Sequence, residues 1–418
     1  MATLTVGVGK QFATCAAGAL ALKTGDTLAI DAGLYLDDFL NNVTVDCTIM
    51  GIGGIAHLMA DVNSPNDRGI ITIDANVAID HLEISGAKGP SGNDAAIRLS
   101  TGSLKLTNSS LHHNQNGILG NDLVDPVTKV PLLGGTAEID HCDIGFNGAG
   151  DGHTHNLYFG HMAKLTVTNS YIHDANIGHN IKHRALVAVI TGNRLDDNAS
   201  GTSYTIDCSN GGDCTIDSNF MEQGTNSQNG VFIAYASEGA LLQGSKLTVS
   251  NNTFLNEKSG FAVGVFNFDN TGTVTPQMLG NSYFGITAAQ LAGQGATAKA
   301  VTLTNNTPLA AAPVVDQSSP IQGSGPVPTP TPTPVPTPTP TPTPVPTPSW
   351  RFPEKLSSAA RSVPFRDWPR ASVAASGCRQ RPKLQPLHSA PSRRQRRQAR
   401  PPPCQRRAAS RRPRASRS

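Results

Sequence analysis

A six-residue motif with an apolar residue at each end recurs eight times along the chain, and no helical hydrophobic stripe separates the copies. The copies occupy residues 79–84, 106–111, 139–144, 167–172, 190–195, 216–221, 249–254 and 278–283. Their starts are 23 to 33 residues apart, and a repeat of this length predicts coils that stack on one another. The fourth position of the motif holds Leu82, Ser109, Cys142, Ser170, Asn193, Asn219, Asn252 and Asn281 in turn. We expect these asparagines to stack from coil to coil and to share side-chain hydrogen bonds.

Each coil also contains a second short stretch in which apolar and polar residues alternate, as in a half-buried strand. The residues predicted to point into the core are Ile97, Ile118, Leu157, Ile181, Ile206 and Ile233. By alternation, the predicted outward residues are Arg98, Asn156, Tyr158, Asn180, Lys182, Arg184, Thr205 and Asp207. The pattern predicts an all-β fold, a single-stranded parallel β-helix solenoid.

Composition divides the chain into four parts. Residues 1–50 are predicted to form an N-terminal cap and the first coil, with a short Ala-rich capping helix over the open strand edge. Residues 51–312 hold the coils. Residues 313–349 are Pro/Thr repeats, expected to be an extended spacer. Residues 350–418 are rich in Arg, Pro and Ser and expected to be disordered. A non-native tail, for example from translation out of frame, is our preferred interpretation, and a basic interaction tail is the alternative.

Net charge differs sharply between these parts. The whole chain carries +3, but residues 351–418 hold 19 Lys and Arg against 2 Asp and Glu. The remaining 14 basic and 28 acidic residues give residues 1–350 a net charge of −14. An acidic body argues against nucleic acid as a partner, because phosphate binding needs clustered positive charge.

The cysteines and the N-terminal segment bear on the cellular location. Cys208 and Cys214 flank a Gly-Gly pair and could form a disulfide in an exported protein, although buried free thiols are the preferred interpretation. There is no charged segment followed by an apolar one at the N-terminus, and no apolar run long enough to cross a bilayer. We expect an extracellular or cell-surface protein without a classical signal peptide, with the cytoplasm as the alternative.

Three residues of the second strands suit β-elimination of a uronate. That reaction needs a cation for the carboxylate, a base for the C5 proton and an acid for the leaving oxygen. Arg184, Lys182 and Tyr158 are predicted to fill these roles respectively. The alternative is that Lys182 and Arg184 solvate a strand face and pair with Asp207.

Histidines form the second candidate cluster. Seven of the 12 lie close together, at His141, His153, His155, His161, His173, His179 and His183. His155 and His179 are predicted to assist catalysis as acid or base; a metal site and structural histidines bonded to turn backbones are the alternatives. The spacing fits no zinc pattern, and calcium lacks a clear ligand set, since Asp207 has only Asp151 or Asp174 nearby in sequence. No cofactor is therefore predicted.

Further side chains are candidates for contact with sugar. Asn156, Asn180, Asp207 and Arg98 are predicted to bind substrate through polar groups. Phe232, Tyr235 and Phe266 are aromatic and suited to stacking on sugar rings, although core packing accounts equally well for the two phenylalanines.

The turns and asparagines together resemble a known superfold. The Gly25-Asp26-Thr27 and Gly33-Leu34-Tyr35 turns, the coil period and the Asn ladder resemble the right-handed parallel β-helix proteins of the pectin/pectate-lyase-like superfold, over roughly 1–305. The stretch from His155 to Arg184 also resembles a bacterial group of β-helix proteins of undefined function. The resemblance implies a right-handed β-helix with carbohydrate as ligand, and function must be argued from the site.

Two functions are compatible with these patterns. The first is a polysaccharide lyase or epimerase that abstracts a proton next to a carboxylate of an acidic glycan. The second is a non-catalytic, adhesin-like or structural β-helix that binds cell-surface glycan. In both cases we expect a monomer. An enzyme requires Lys182, Arg184 and a Tyr or His to converge in an open groove, whereas a binder needs only stacking aromatics and polar ladders.

Overall fold

The described part of the chain forms a right-handed parallel β-helix of about 11 turns with two short helices. The computed structural model describes residues 1–321, except 124, 126, 128–131, 199 and 294–298. The predicted all-β solenoid is confirmed. Most of the predicted linker, from 322 to 349, and all of the predicted tail, 350–418, lie outside the described residues.

The elements follow one another as short strands joined by tight turns. The first are β1 (Thr3–Val6), α1 (Cys15–Leu20), β2 (Thr27–Leu36), β3 (Leu40–Val43), β4 (Cys47–Met59), β5 (Gly69–Asp74), β6 (Val77–Asp80), β7 (Leu82–Ser85), β8 (Ala95–Thr101) and β9 (Leu104–Thr107). The middle of the chain contains β10 (Ser110–His112), β11 (Ile118–Gly120), β12 (Gly134–Asp140), β13 (Asp143–Gly145), β14 (Leu157–Thr168), β15 (Tyr171–His173), β16 (Ile181–Thr191), β17 (Arg194–Asp196), β18 (Ile206–Cys208) and β19 (Asp213–Asp217). The last are β20 (Phe220–Gln223), β21 (Val231–Tyr235), β22 (Lys246–Ser250), β23 (Thr253–Asn256), β24 (Val263–Asn267), β25 (Gln277–Leu279), β26 (Ser282–Phe284), α2 (Ala288–Leu291), β27 (Thr302–Thr304) and β28 (Thr307–Pro308).

Three ladders of parallel strands build the solenoid. The first ladder stacks β1, β2, β4, β6, β9, β12, β14, β16, β19, β22, β25 and β27. The second stacks β2, β4, β7, β10, β13, β15, β17, β20, β23, β26 and β28, and the third stacks β3, β5, β8, β11, β14, β16, β18, β21 and β24. Long strands such as β14 and β16 bend and contribute to two ladders. Each repeated motif is the end of a first-ladder strand, a turn and the start of a second-ladder strand.

Isoleucine and leucine side chains from successive coils fill the interior. The six residues predicted to point inward from the third ladder are completely buried: Ile97, Ile118, Leu157, Ile181, Ile206 and Ile233. They align in register from coil to coil. Burial of one such side chain stabilises the fold by roughly 1.5–3 kcal/mol, so the apolar rows hold the coils together.

An asparagine ladder closes the turn between the first and second ladders. The side-chain amide of Asn193 donates to Oδ1 of Asn219 at 3.0 Å, and Asn219 donates to Asn252 at 2.9 Å. The series continues through Asn281 to Asn306. The predicted ladder is therefore present and extends one coil further. Each bond joins consecutive coils inside the protein, where a net contribution of about 1 kcal/mol is typical.

A short helix covers the N-terminal end of the solenoid, as predicted. The hydroxyl of Thr14 accepts the amide N–H of Ala17 and so caps α1. Asp38 accepts the free amide hydrogens of Cys15 and Ala16 at 2.5 and 2.8 Å. Gly18 lies so close to Leu28 that an added Cβ would stand 2.6 Å from Cδ1. The helix is thus packed directly on the first buried coil.

The chain turns back along the second ladder after its last strand. Arg194 of β17 ion-pairs with Asp316, at 3.1 Å between Nη1 and Oδ1, and donates hydrogen bonds to the carbonyls of Asp316 and Ser318. Its guanidinium also lies 4.7 Å from the ring centre of Tyr171. The described start of the predicted linker, 313–321, is therefore fastened to the solenoid.

The cysteines of the described region are free and buried: Cys15, Cys47, Cys142, Cys208 and Cys214. Cys208 and Cys214 are adjacent in the core, and the hydrogen bond between them, together with burial, raises the pKa of the Cys208 thiol well above its ordinary value. The preferred interpretation of buried thiols agrees with this arrangement, and the suggested disulfide is not formed.

Candidate functional site

The third ladder stacks several predicted site residues in one row. Tyr158 aligns in register with Lys182, and Lys182 aligns with Asp207 on the next coil. Arg98 belongs to the same row two coils before Tyr158, with Leu119 between them. The side chains of Arg98, Tyr158 and Lys182 are half-buried and face outward, as alternation predicted.

Tyr158, Lys182 and Arg184 form one cluster on this face. Nε of Arg184 lies 3.2 Å from the hydroxyl oxygen of Tyr158 and 3.4 Å from Oδ2 of Asp122. The ammonium nitrogen of Lys182 lies 5.9 Å from the ring centre of Tyr158. The juxtaposition expected from the strand alignment is therefore observed, with two cations beside one phenol.

Glu238 joins the two cations. One carboxylate oxygen accepts from Nζ of Lys182 at 2.5 Å, and the other accepts from Nη2 of Arg184. Burial opposes ionisation of Glu238, but hydrogen bonds and positive charge from Lys182 and Arg184 outweigh it and lower the pKa of this carboxyl. Sequence reasoning missed Glu238 because it lies in the loop after β21; its position about one coil after Asp207 is the signal that could have indicated it.

Asp207 is buried below this cluster. Its side chain is 1% exposed, and it accepts hydrogen bonds from Ser209 at 2.9 Å and Ser237 at 2.6 Å. Nζ of Lys182 lies 3.7 Å away. Burial raises the pKa of Asp207, against the opposing charge of Lys182. The prediction that Asp207 faces outward to bind substrate is wrong, because Ser237 and its loop cover the carboxylate.

The two histidines predicted to assist catalysis form a stacked column with Tyr204. The rings of His155 and His179 lie 4.7 Å apart, and those of His179 and Tyr204 lie 4.8 Å apart. The amide N–H of His179 donates to Nδ1 of His155, and that of Tyr204 donates to Nδ1 of His179. With Nδ1 as acceptor, the proton of each neutral ring is on Nε2.

Protonation of these rings is strongly disfavoured. Burial, followed by the charge of Lys182, lowers the pKa of His179 to about 3. Burial, followed by neighbouring His179 and Lys182, holds the pKa of His155 well below its ordinary value. Both rings are therefore neutral donors through Nε2, which does not fit a general base. The alternative of histidines bonded to turn backbones describes them better.

Asn156 and Asn180 are buried inside the solenoid rather than on its outer face. Both are completely buried, and Asn156 donates to Oδ1 of Asn180 at 2.8 Å. Asn114 and Asn147 precede them in a second amide ladder. The prediction that Asn156 and Asn180 face outward to bind substrate is wrong, because each stands one residue before its strand, where the chain bends and alternation no longer applies. Thr205, in the same position before β18, is also buried.

The aromatic residues predicted to stack on sugar lie in or near the core. Phe232 and Tyr235 are completely buried, and the Tyr235 hydroxyl donates to the carbonyl of Gly212 at 2.9 Å. Phe266 is 8% exposed and packs on Phe268. The prediction of Tyr235 as a substrate-stacking residue is wrong for this structural reason.

A groove of about 250 Å³ opens beside the cluster. Its lining includes Asn93, His153, His155, Tyr158 and Lys182. Arg98 donates to the carbonyl of Asn93 at 3.1 Å and to the side chain of Asn121, which fixes its guanidinium next to this lining. The groove gives a ligand access to Tyr158 and Lys182.

Comparisons with solved structures address the fold. An alginate lyase from Paenibacillus sp. str. FPU-7 is 15% identical, with a TM-score of 0.51 over 73% of this chain and 99% of that chain. The pectate lyase Pel9A is 12% identical, with a TM-score of 0.41 over 73% and 78% of the two chains. The chain shares the right-handed parallel β-helix fold of the alginate lyase. The β-helix fold expected from the turns and the Asn ladder is thereby confirmed.

The remaining similarities to known proteins are weaker. A pectin methylesterase from Aspergillus niger matches this β-helix at 12% identity, with a TM-score of 0.36 over 76% of this chain and 93% of that chain. No protein-family model and no curated protein matches the sequence. Among the described residues, no helix has the length and apolar character needed to cross a membrane.

Proposed function

We propose that this β-helix binds an acidic polysaccharide at the cluster of Tyr158, Lys182 and Arg184 and cleaves it by β-elimination. The observation that carries the proposal is the carboxylate of Glu238, which both cations bind at once. A uronate presents the same chemical group at C6. The site thus has the geometry to bind a carboxylate through two charged donors, an arrangement that strengthens hydrogen bonds.

The proposed roles follow from the contacts. Arg184 and Lys182 neutralise the substrate carboxylate and the enolate that forms when the C5 proton leaves, because preorganised cations stabilise developing negative charge. Tyr158, within hydrogen-bond distance of Arg184, takes the C5 proton as a phenolate and then donates it to the glycosidic oxygen at C4, so that the C4–O bond breaks as the C4–C5 double bond forms. Lys182 was the base suggested by sequence alone, but its ion pairs with Glu238 and Asp207 favour the carboxylate-neutralising role.

The net negative charge of residues 1–350 limits where an anionic polysaccharide can bind. Residues 1–350 carry a net charge of −14, which repels an anionic chain except where cations are concentrated. Arg98 and Lys182 supply positive charge on one row of the third ladder, and Arg184 adds a third cation two residues after Lys182. The fold shared with a protein named as an alginate lyase also supports a lyase, and a polysaccharide substrate implies an extracellular or cell-surface location.

Non-catalytic glycan binding is the second candidate. It is favoured by the position of Lys182 between two carboxylates, which supplies charge for binding more readily than a base for catalysis. The buried positions of Phe232 and Tyr235 weaken it, because they remove the aromatic platform that such a binder was expected to use.

The experiment that tests the proposal measures double-bond formation. The purified chain is incubated with uronate-containing and neutral polysaccharides while the ultraviolet absorbance of unsaturated sugar ends is followed. A rise with a uronate polymer and none with neutral glycans is expected. Unchanged absorbance with altered C5 configuration by NMR would indicate an epimerase, and retention on an immobilised glycan without either change would replace the lyase by the binder.

Replacing Glu238 with glutamine is expected to lower the apparent KM for the uronate polymer roughly tenfold. Charge-assisted hydrogen bonds contribute roughly 1.5–3 kcal/mol, and a substrate carboxylate would no longer compete with an internal one. Steady-state kinetics of Glu238→Gln beside Glu138→Gln, an exposed glutamate on the first ladder, separates this effect from a general loss of negative charge. A higher KM in Glu238→Gln alone would show instead that Glu238 positions the cations for substrate.

A further inference from the structure

Three successive coils of the second ladder bring two histidines and a glutamate together. His57 aligns in register with Glu83, and Ser85 aligns with His112 on the next coil. Nδ1 of His57 lies 3.5 Å from Oε1 of Glu83, and Nε2 of His112 lies 3.0 Å from the same oxygen. The side chains are 13%, 18% and 29% exposed for His57, Glu83 and His112. The group is therefore sheltered but open to solvent.

These separations match the edges of a metal coordination polyhedron. Zinc binds imidazole nitrogen and carboxylate oxygen at about 2.0–2.2 Å in tetrahedral sites, which sets neighbouring ligand atoms roughly 3.3–3.5 Å apart. One candidate ligand atom from each of His57, Glu83 and His112 lies within 4.8 Å of the other two. Small side-chain adjustments suffice to place all three around one ion.

The remaining nitrogens of both imidazoles already have partners. Nε2 of His57 is 2.8 Å from the hydroxyl of Ser85, which leaves Nδ1 to face Glu83. Nδ1 of His112 is 3.0 Å from Nδ1 of His113, which leaves Nε2 to face Glu83. Contacts at the second nitrogen fix the tautomer and orientation of metal-binding histidines. Here they hold both imidazoles with one nitrogen directed at Glu83.

We propose that His57 Nδ1, the Glu83 carboxylate and His112 Nε2 bind a divalent transition metal ion. Two imidazoles and one carboxylate favour zinc, nickel, copper or cobalt over calcium, which takes oxygen ligands. A fourth position is left for water or an external ligand. The site lies on the second ladder and is separate in sequence and ladder from the cluster of Tyr158, Lys182 and Arg184.

The test uses cobalt(II) as a spectroscopic probe with the full chain. Tetrahedral nitrogen and oxygen coordination gives visible absorption bands, which are titrated alongside calorimetry with zinc(II) alone. We expect one metal ion per chain and a higher melting temperature with metal, because an ion bound only to the folded state stabilises it. Loss of an outer contact lowers metal affinity roughly 10–100-fold. His112→Ala removes a ligand itself and is expected to weaken binding by more than this.

A graded set of variants distinguishes this site from other histidines. Ser85→Ala removes only the contact to His57 and is expected to weaken binding roughly 10-fold. His141→Ala, an exposed histidine paired with Asp140 on the first ladder, should bind like wild type. Equal binding by wild type and His112→Ala, with circular dichroism unchanged, would overturn the proposal, as would cobalt spectra without the tetrahedral bands. If His112→Ala does not fold, Glu83→Gln provides the same comparison.

Discussion

Replacing Arg184 with alanine is expected to lower kcat for uronate cleavage about 10²–10³-fold, the effect of removing one donor to a developing oxyanion. Arg184 contacts both the phenol of Tyr158 and the carboxylate of Glu238, so it links the proton-transfer group to the carboxylate subsite. Arg184→Lys keeps the charge but loses the forked geometry, and it should retain part of the activity. The measurement is the initial rate of ultraviolet absorbance on the uronate polymer that wild type cleaves.

Arg194→Ala is the matched control for this loss. Arg194 is a similarly sheltered arginine on the second ladder, with 20% of its side chain exposed against 16% for Arg184. The carboxylates left by Arg184→Ala, Glu238 and Asp122, are 43% and 37% exposed, so water can solvate them and the fold should persist. Wild-type rates in Arg184→Ala would exclude the cluster as the active site. If the wild type binds the glycan without cleaving it, loss of glycan retention in Arg184→Ala would assign the same residues to a binding site.

The free energy of unfolding is expected to contain a component that falls as pH rises from about 4 to about 7. Burial raises the pKa of Asp196 to about 6, and burial with the charge of Asp196 raises that of Glu222 to about 7. Both are at most 1% exposed, and Oε2 of Glu222 has no hydrogen-bond partner among the described residues. A raised carboxyl pKa means that the folded state holds the proton more tightly, so this stability is present at low pH and is lost as the group ionises. Each group contributes roughly 3 kcal/mol to the change.

Replacing either carboxyl by its neutral amide isostere should remove its part of this pH-dependent free energy of unfolding. Asp196→Asn and Glu222→Gln are each expected to be more stable than wild type at pH 8, with the difference shrinking toward pH 4. Melting curves by circular dichroism across this range measure the difference. Asp217→Asn is the control of opposite sign: the hydrogen bond from Ser250 lowers the pKa of Asp217, so its replacement should destabilise above about pH 4. If the melting temperatures of wild type and Asp196→Asn change with pH in the same way, Asp196 is not held neutral in the folded protein.

The coils of the solenoid were predictable because the same side-chain contacts recur in every coil and leave a repeat in the sequence. A ladder such as Asn193 to Asn281 requires the same side chain at the same corner of every coil, and the six-residue motif displays that requirement directly. Alternation within strands also placed Ile181 inside and Lys182 outside correctly, because adjacent side chains of a strand point to opposite faces. The proximity of Tyr158 to Lys182 followed from stacking those strands.

The errors arose where a residue lies outside a strand or where a loop covers the strand. Asn156 and Asn180 each precede a strand, and their amides turn inward to bond the neighbouring coil. Asp207 is on a strand, yet Ser237 covers it from a loop one coil away. Glu238 comes from the same loop, whose path no periodic pattern encodes. The predicted stacking role of Tyr235 failed because core packing and sugar stacking require the same kind of side chain.

The contact between Arg194 and residues 316–318 has a mechanical consequence. Strand β17, which carries Arg194, stands four coils before β28, through β20, β23 and β26. Tension applied to the chain beyond Ile321 therefore acts first on the buried side chain of Ile321 and on the contact to Arg194, and not on the last coil. Only after that contact gives way does the force reach β28, where the coils can be unzipped one at a time. The contact of Arg194 with residues 316–318 must therefore break before the C-terminal coil of the solenoid carries the load.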